Sequence, residues 1–134
     1  MQFNNSKIWF IYNPNSARVL KKGSLLKKHY RRFNAQLHSL EKFSDVQIVV
    51  SKALENKVSY VCIEGGDGTT HGVITAFLKQ STNSNLPFFI LIPGGNTNQI
   101  SKNIGIKSAS IKALKKSFKV NKVINTPILS ITDN

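Results

Sequence analysis

Short apolar runs alternate along the chain with segments whose apolar residues recur every three or four positions. Runs at 8–12, 60–63 and 86–92 predict buried strands, and each is followed by turn-forming residues. A fourth run, Val46–Val50, is rich in β-branched residues and predicts another strand, followed by a short helix from Ser51 to about Lys57. The pattern therefore predicts four strands separated by helical segments.

Apolar residues recur at helical spacing in four segments between or after these runs. It predicts helices from Ser24 to about Leu40, from the glycine cluster at 65–68 to about Gln80, from about 99 to 103, and from about 110 to 118. Residues 120–131 are predicted to be extended. The first helix would bury one face consisting of Leu26, Tyr30, Phe33, Leu37 and Leu40.

Strands that alternate with helices are typical of βαβ units. They predict an α/β fold, a three-layer α/β/α sandwich with a mostly parallel, Rossmann-like sheet. Ligands of such folds bind at the carboxyl ends of the strands. The predicted strands at 8–12, 60–63 and 86–92 end in turns rich in Gly, Asn, Ser and Pro, and these turns lie at 13–17, 65–68 and 93–98. We therefore expect these three turns to converge on one ligand.

The glycine cluster Gly65-Gly66-Asp67-Gly68 lies between a predicted strand and a predicted helix. Glycines let backbone N–H groups approach a phosphate, and the helix N-terminus adds unpaired amides and a positive dipole end. Asp67 would repel phosphates unless a divalent cation lies between them or the carboxylate accepts a proton. The cluster thus indicates metal-assisted phosphoryl chemistry. A tight turn without a ligand is the alternative, in which Asp67 forms an Asx-turn or N-cap and Thr69 caps the helix.

Length and charge narrow the classes of partner. The 134 residues are enough for one domain, and the formal net charge is +13. No acidic residue precedes Glu41, and none occurs between Asp67 and Asp133. Anionic partners are favoured, whether nucleotides, a phospholipid surface or nucleic acid. The four cations of the first long predicted helix form either a solvated face or a lipid- or phosphate-steering face; they are Lys27, Lys28, Arg31 and Arg32.

The sequence also predicts a location for the protein. The N-terminal residues lack the charged-then-apolar order of a secretory signal, and no apolar run approaches the roughly 20 residues that span a bilayer. We therefore expect a cytoplasmic protein, or one that is peripheral at a membrane. The single cysteine, Cys62, lies in an apolar run and predicts a buried thiol with no intramolecular disulfide.

Two common nucleotide motifs are absent or incomplete. The chain has no Gly-x-x-x-x-Gly-Lys-[Ser/Thr] sequence, which excludes an ordinary P-loop. Gly66, Gly68 and Gly72 approximate a dinucleotide fingerprint, but that fingerprint expects an acidic residue about 20 positions later. The interpretation as an NAD-binding Rossmann domain is thereby weakened.

The five residues at 65–69, Gly-Gly-Asp-Gly-Thr, resemble the signature of the diacylglycerol kinase catalytic superfamily, which includes sphingosine kinases and bacterial lipid kinases. Residues 13–16, Asn-Pro-Asn-Ser, are similar to the family's Asn-Pro-x-Ser-Gly, with Ala17 in place of the glycine. Residues 93–98, Pro-Gly-Gly-Asn-Thr-Asn, resemble its Pro-x-Gly-Thr-x-Asn-Asp, with Asn96 in place of the threonine and Gln99 in place of the final acid. His71 and Gly72 stand where many members have Asn and Glu. These departures indicate a divergent subgroup.

The resemblance implies the ATP-binding domain of a lipid kinase, which transfers the γ-phosphoryl group of Mg-ATP to a lipid hydroxyl. It implies a catalytic, Mg²⁺-binding role for Asp67. Residues 1–134 would form the nucleotide domain, and a second β-sandwich domain, apparently absent from this chain, would begin at about residue 124 of a longer parent. The nucleotide contacts that the resemblance implies are Asn13, Pro14, Ser16, Gly65, Gly66, Gly68, Thr69, Gly95, Asn96 and Asn98.

Other functions remain open at this stage. An NAD kinase would share the glycine signature, but the turn at 93–98 disfavours it. A regulatory module that binds a nucleotide without catalysis is compatible with the short chain and with Gln99. Nucleic-acid binding through the net charge is disfavoured, because no base-reading motif is present and the glycine turns would have no role.

Overall fold

The computed structural model describes residues 7–81, 86–93, 111–112 and 114–115. Within these ranges four parallel strands form one sheet in the order β2-β1-β3-β4. The strands are β1 (Ile8–Tyr12), β2 (Gln36–Ser39), β3 (Tyr60–Gly65) and β4 (Phe88–Pro93). The helices are α1 (Ala17–Lys22), α2 (Leu25–His29), a 3-10 helix (Tyr30–Phe33), α3 (Asp45–Glu55) and α4 (Asp67–Gln80).

Helices cover both faces of the sheet, which confirms the predicted three-layer α/β/α fold. The first helical layer is α1, α2 and the 3-10 helix; it packs on the face that carries Phe10, Cys62 and Ile92. The second helical layer, α3 and α4, packs on the face that carries Ile11 and Ile63. Successive strand residues alternate between the two cores, as a sheet buried on both sides requires. Among the helices in the described ranges, none is long and apolar enough to cross a bilayer.

Strands β1 and β3 are neighbours whose connections leave in opposite directions. After β1 the chain passes through the first helical layer to β2, and after β3 it passes through α4 in the second layer to β4. This reversal is a topological switch point, and open α/β sheets bind their ligands in a crevice at the carboxyl ends of the strands there, which are β1 and β3 in this chain. The turns at 13–17 and 65–68 begin at these two strand ends.

The predicted helix from Ser24 to Leu40 is wrong, because the chain turns after one third of it. Helix α2 ends at His29, the 3-10 helix follows, and Asn34 takes a left-handed conformation with φ 53°. Asparagine tolerates this conformation and often ends helices. The remaining residues form the edge strand β2, so the spacing that suggested one long helix combines positions from a helix and a strand.

The predicted strand at Val46–Val50 is also wrong, since α3 includes this segment and Ser51 lies inside the helix instead of at its N-cap. Valine favours strands only weakly, and burial on the sheet decides the conformation. The buried residues recur at helical spacing; they are Val46, Val49, Val50 and Ala53. The predicted strands at 8–12, 60–63 and 86–92 and the helix ending at Gln80 are confirmed.

Two further predictions concern buried residues. Cys62 is fully buried, and burial raises the pKa of its thiol well above the ordinary value. In the predicted helix at 110–118 the described residues, 111–112 and 114–115, are helical, and Leu114 is buried in the first helical layer's core. The predicted helix at 99–103 and the extended segment at 120–131 lie outside the described residues.

The ring of His38 in β2 stacks on the ring of Trp9, with centroids 4.0 Å apart. Burial lowers the pKa of His38 below its ordinary value of 6.5, and the charge of Lys52 lowers it further. The unfolded chain therefore binds a proton at His38 more readily than the folded chain. Above about pH 6.5, where His38 is neutral in both states, it does not reduce the free energy of unfolding. As the pH falls from 6.5 toward the folded-state pKa of His38, the unfolded chain binds the proton and the free energy of unfolding decreases.

We expect the free energy of unfolding to decrease between about pH 7 and pH 5, and we expect a smaller decrease for His38→Gln. Urea unfolding followed by the fluorescence of Trp9, the single tryptophan, measures both proteins. The pKa of His29 is also lowered and is unchanged in the variant, so it serves as a common background. An identical pH dependence of the two proteins would show that His38 does not contribute.

Candidate active site at the switch point

The turn after β1 and the turn after β3 are bonded directly to each other. The backbone N–H of Asn13 donates to the carbonyl of Glu64 over 3.0 Å. The side-chain Nδ2 of Asn13 donates to the hydroxyl of Thr69 over 2.9 Å. Two of the predicted site segments, 56 residues apart in sequence at this contact, therefore form one structural unit at the switch point.

The turn after β1 is organised around Asn13. Its side-chain Oδ1 accepts the N–H of Asn15 over 2.9 Å, and its carbonyl accepts the N–H of Ser16 over 3.2 Å. Ser16 is the N-cap residue of α1, but its side chain makes no capping hydrogen bond in the described structure. Pro14 is half-buried between them. The turn thus fixes Asn13 against the glycine turn and leaves the Ser16 hydroxyl without a capping role.

Helix α4 begins directly at the glycine turn. Gly66 is its N-cap residue, and within the described residues no side chain caps this end. The first intrahelical bond runs from the N–H of Thr70 to the carbonyl of Gly66 over 3.0 Å. The helix itself provides no acceptor for the preceding N–H groups, and its positive dipole end favours an anion there. Asp67 is therefore not the N-cap, and the hydroxyl of Thr69 accepts a bond from Asn13.

Gly65 and Gly68 differ in what an added side chain would meet. A Cβ atom on Gly65 would lie 2.7 Å from Cβ and Cγ2 of Thr69. Only glycine at position 65 therefore leaves room for the Thr69 side chain in the position where its hydroxyl bonds Asn13. A Cβ atom on Gly68 would have no heavy atom of the described structure within 4 Å, and Gly68 is exposed. Packing therefore explains Gly65, whereas Gly68 leaves open space on the first turn of α4.

Sequence reasoning assigned no role to Glu64, the residue before the glycine turn. Its side chain is fully buried. Oε1 accepts the hydroxyl of Ser24 over 2.6 Å and the N–H of Leu26 over 3.2 Å. Oε2 accepts the N–H of Leu25 over 2.9 Å and bonds Nη1 of Arg18 over 3.2 Å.

Glu64 thereby joins the glycine turn to the first helical layer. Its carboxylate caps the N-terminus of α2 and pairs with the guanidinium of Arg18, which belongs to the first turn of α1. One signal in the sequence was overlooked: an acidic residue inside an apolar strand has to be paired if it is buried. The signal does not identify the partners, which lie 38 to 46 residues earlier in the chain.

The third predicted turn lies almost wholly outside the described residues. Its first residue, Pro93, ends β4 opposite Gly65 in the sheet register, so β4 leads toward the glycine turn. The predicted site residues Gly95, Asn96 and Asn98 and the departure at Gln99 are outside the described ranges. The described structure therefore brings together the predicted residues of the first two turns only.

The described residues contain no group of three or more His, Cys, Asp or Glu side chains that could hold a metal ion, so a Mg²⁺ ion at this site would have to be shared with a phosphate ligand. Mg²⁺ is commonly bound by one or two carboxylates together with substrate phosphates and water. Asp67, the first residue of α4, is half-buried at the open helix end. Glu64 is not a candidate ligand, because four hydrogen bonds from the first helical layer occupy its two oxygens.

Comparison with known proteins gives the class of the fold and site. The sequence profile of the diacylglycerol kinase catalytic domain matches residues 7–127. A diacylglycerol kinase from Staphylococcus carnosus (strain TM300) is 26% identical over 108 residues, which are 78% of this chain and 34% of the relative. The crystal structure of a diacylglycerol kinase from Bacillus anthracis str. Sterne superposes with a TM-score of 0.63 at 20% identity, covering 84% of this chain and 40% of that one.

The chain belongs to the diacylglycerol kinase catalytic domain family, a family of lipid kinases. The structural match shows the same fold. The chain spans about a third of the length of the Staphylococcus relative.

Proposed function

We propose that this chain is the ATP-binding domain of a lipid kinase, which transfers the γ-phosphoryl group of Mg-ATP to a lipid hydroxyl of the diacylglycerol or sphingosine type. The observation that supports this most is the direct contact between the two turns at the switch point. There the bond between Asn13 and Thr69 joins two of the family's motifs beside a helix N-terminus that no side chain of the described residues caps. Such a site suits phosphoryl transfer, which depends mainly on positioning and charge neutralisation.

In this proposal each described residue has a physical role. The N–H groups at the start of α4 donate to the phosphates, and Gly68 provides the space for their approach. Asp67 is the catalytic residue of this chain and holds Mg²⁺, which neutralises charge on the phosphates when bound. Residues 13–16 contact the nucleotide from the other side of the crevice.

The remaining groups come from outside the described structure. Gly95, Asn96 and Asn98 contact the nucleotide from the third turn. A β-sandwich domain that begins at about residue 124 of a longer parent supplies the other wall of the lipid site. The protein acts in the cytoplasm, at the surface of an anionic membrane.

A non-catalytic nucleotide-binding module is the second candidate. Gln99 favours it, because this residue stands where the family's third motif has an acid. An NAD kinase-like function is the third. Binding of NAD in place of ATP alone would distinguish the NAD kinase-like function from the lipid kinase and from the non-catalytic module.

Calorimetric titration of the chain with Mg-ATP tests the proposal, with NAD as competitor. Gly68→Ala and Gly72→Ala form a matched pair, because both glycines lie in α4 and neither added methyl group meets a neighbour within 4 Å. Each substitution stabilises the fold by about 0.5 to 1 kcal/mol, since alanine is the better helix former. We expect Gly68→Ala to weaken Mg-ATP binding by about tenfold, which is about 1.4 kcal/mol, and Gly72→Ala to leave it unchanged.

Equal affinities of the two variants would contradict a phosphate site at the start of α4. Competition by NAD with no response to ATP would favour the NAD kinase-like alternative. Binding of Mg-ATP by this chain, together with lipid phosphorylation only by a longer parent, would support the kinase proposal over a regulatory module.

A further inference from the structure

The first helical layer carries many cations and no acidic side chain in its helices. Its α1, α2 and 3-10 helix contain seven cations, and the helical residues 111–112 and 114–115 add two lysines on the same side of the sheet. No Asp or Glu occurs in residues 17–33 or 111–115. Eight of these cations are exposed: Lys21, Lys22, Lys27, Lys28, Arg31, Arg32, Lys112 and Lys115. We call this surface the basic face.

The second helical layer has no comparable excess. Helices α3 and α4 carry three acidic residues and two lysines, so within the described residues the positive charge is concentrated in the first helical layer. A positive potential on the basic face is felt by His29 in α2. Burial lowers the pKa of His29, and the charges of Arg32, Lys28 and Lys115 lower it further. Because Lys115 contributes, this lysine belongs to the same electrostatic surface as α2.

The basic face also has a recess and an exposed apolar residue. The recess has a volume of about 290 Å³ and is lined by Lys27, Lys28, Tyr30, Arg31 and Leu37. The guanidinium carbon of Arg31 lies 5.4 Å from the centre of the Tyr30 ring, which holds one cation beside the recess. Leu20 in α1, which directly precedes Lys21 and Lys22 in the sequence, is 69% exposed. A small recess lined by cations and an exposed apolar residue in the same helical layer match a surface that binds phospholipid headgroups.

We propose that the basic face docks on a bilayer containing anionic phospholipids, with the recess at Lys27–Arg31 receiving a headgroup phosphate and Leu20 entering the interface. This inference deepens the proposed function, because it places the lipid on the side of the sheet that carries α1 and α2. The salt bridge between Arg18 and Glu64 and the capping of α2 fix this layer relative to the glycine turn. Docking therefore brings the open end of the crevice to a defined orientation at the membrane.

Co-sedimentation with vesicles tests this proposal without nucleotide. The vesicles contain phosphatidylcholine alone or phosphatidylcholine with phosphatidylglycerol. The variant Lys27→Gln/Arg31→Gln removes two cations of the recess, and Lys52→Gln/Lys79→Gln removes two exposed cations of the second layer. At about 1 kcal/mol per cation near an anionic surface, the first variant loses about 30-fold in partitioning. The second loses less than about threefold, although its net charge is the same.

Three further arms separate the alternatives. Leu20→Ser reduces binding to the anionic vesicles while the net charge stays constant. Inorganic phosphate added in excess over lipid leaves vesicle binding at the level measured in sodium chloride of the same ionic strength. Loss of all binding in phosphate but not in sodium chloride would point to a site for free phosphate and overturn the proposal. Asp67→Ala binds vesicles like the parent chain, so a failure of the kinase proposal and a failure of docking are told apart.

Equal losses in the two double variants would overturn the proposal, because binding would then follow net charge and not the basic face. Absence of binding to anionic vesicles at low salt would also overturn it. Tight binding of arbitrary duplex DNA that the recess variant loses, with no vesicle binding, would assign the face to nucleic acid instead.

Discussion

Replacing Glu64 by alanine lowers the free energy of unfolding by about 3 to 5 kcal/mol, which is the usual cost of removing one partner of a buried ion pair. The carboxylate is fully buried and accepts four hydrogen bonds. Its loss leaves the hydroxyl of Ser24 and the first N–H groups of α2 without their acceptor. Arg18 loses less, because its side chain is 27% exposed and can be hydrated.

Urea unfolding of the purified chain measures this effect, and two variants serve as controls. Glu64→Gln keeps the shape and one acceptor oxygen, and we expect a smaller loss of about 1 to 3 kcal/mol. Glu55→Ala removes an exposed glutamate of α3, and we expect a change within about 0.5 kcal/mol. If Glu64→Ala were as stable as Glu55→Ala, the carboxylate would not join the glycine turn to the first helical layer.

Replacing Asp67 by alanine removes the dependence of ATP binding on Mg²⁺. In our account Asp67 contributes the protein's carboxylate to a metal ion that also contacts the phosphates. Two unit charges about 4 Å apart interact by about 4 kcal/mol at an effective dielectric constant of 20, and solvent reduces this at a half-buried site. We therefore expect the affinity for Mg-ATP to fall by about 10- to 100-fold.

The comparison of titrations with Mg²⁺ and with a chelator checks this expectation. The parent chain binds ATP more tightly when Mg²⁺ is present, and Asp67→Ala binds it equally weakly under both conditions. Glu55→Ala retains the Mg²⁺ dependence of the parent. An undiminished Mg²⁺ dependence in Asp67→Ala would show that the metal is held by other groups.

The sequence predicted the architecture better than it predicted the individual elements. The strands at 8–12, 60–63 and 86–92 are continuous apolar runs between turn residues, and burial on both faces of a parallel sheet makes such runs distinctive. The segment 46–50 is ambiguous by itself, because its valines suit both a strand and one face of a helix. Packing against the sheet favours the helical conformation of α3, and this long-range contact cannot be read from a single sequence.

The site shows the same division. Asn13 and Thr69 were predicted separately, and the parallel topology explains why they meet, since carboxyl ends of neighbouring strands lie at one edge of a sheet. The partners of Glu64 could not be derived, because they depend on where α2 begins, and the prediction of one long helix misplaced that segment. The exposure of the four cations at 27–32 was predicted and is confirmed, whereas their proximity to Lys115 depends on the fold and could not be read from the sequence.

The most direct test of the central claim is to follow the backbone amide resonances of the chain by NMR during titration with Mg-ATP. The central claim is that the crevice between the turn at 13–16 and the start of α4 binds the nucleotide phosphates. We predict that the largest shift changes occur at the amides of Asn15, Ser16, Gly66, Gly68 and Thr69, with small changes in α2 and the 3-10 helix. Shift changes centred on residues 27–32, with none at Gly66 to Thr69, would contradict the claim and assign the phosphates to the basic face.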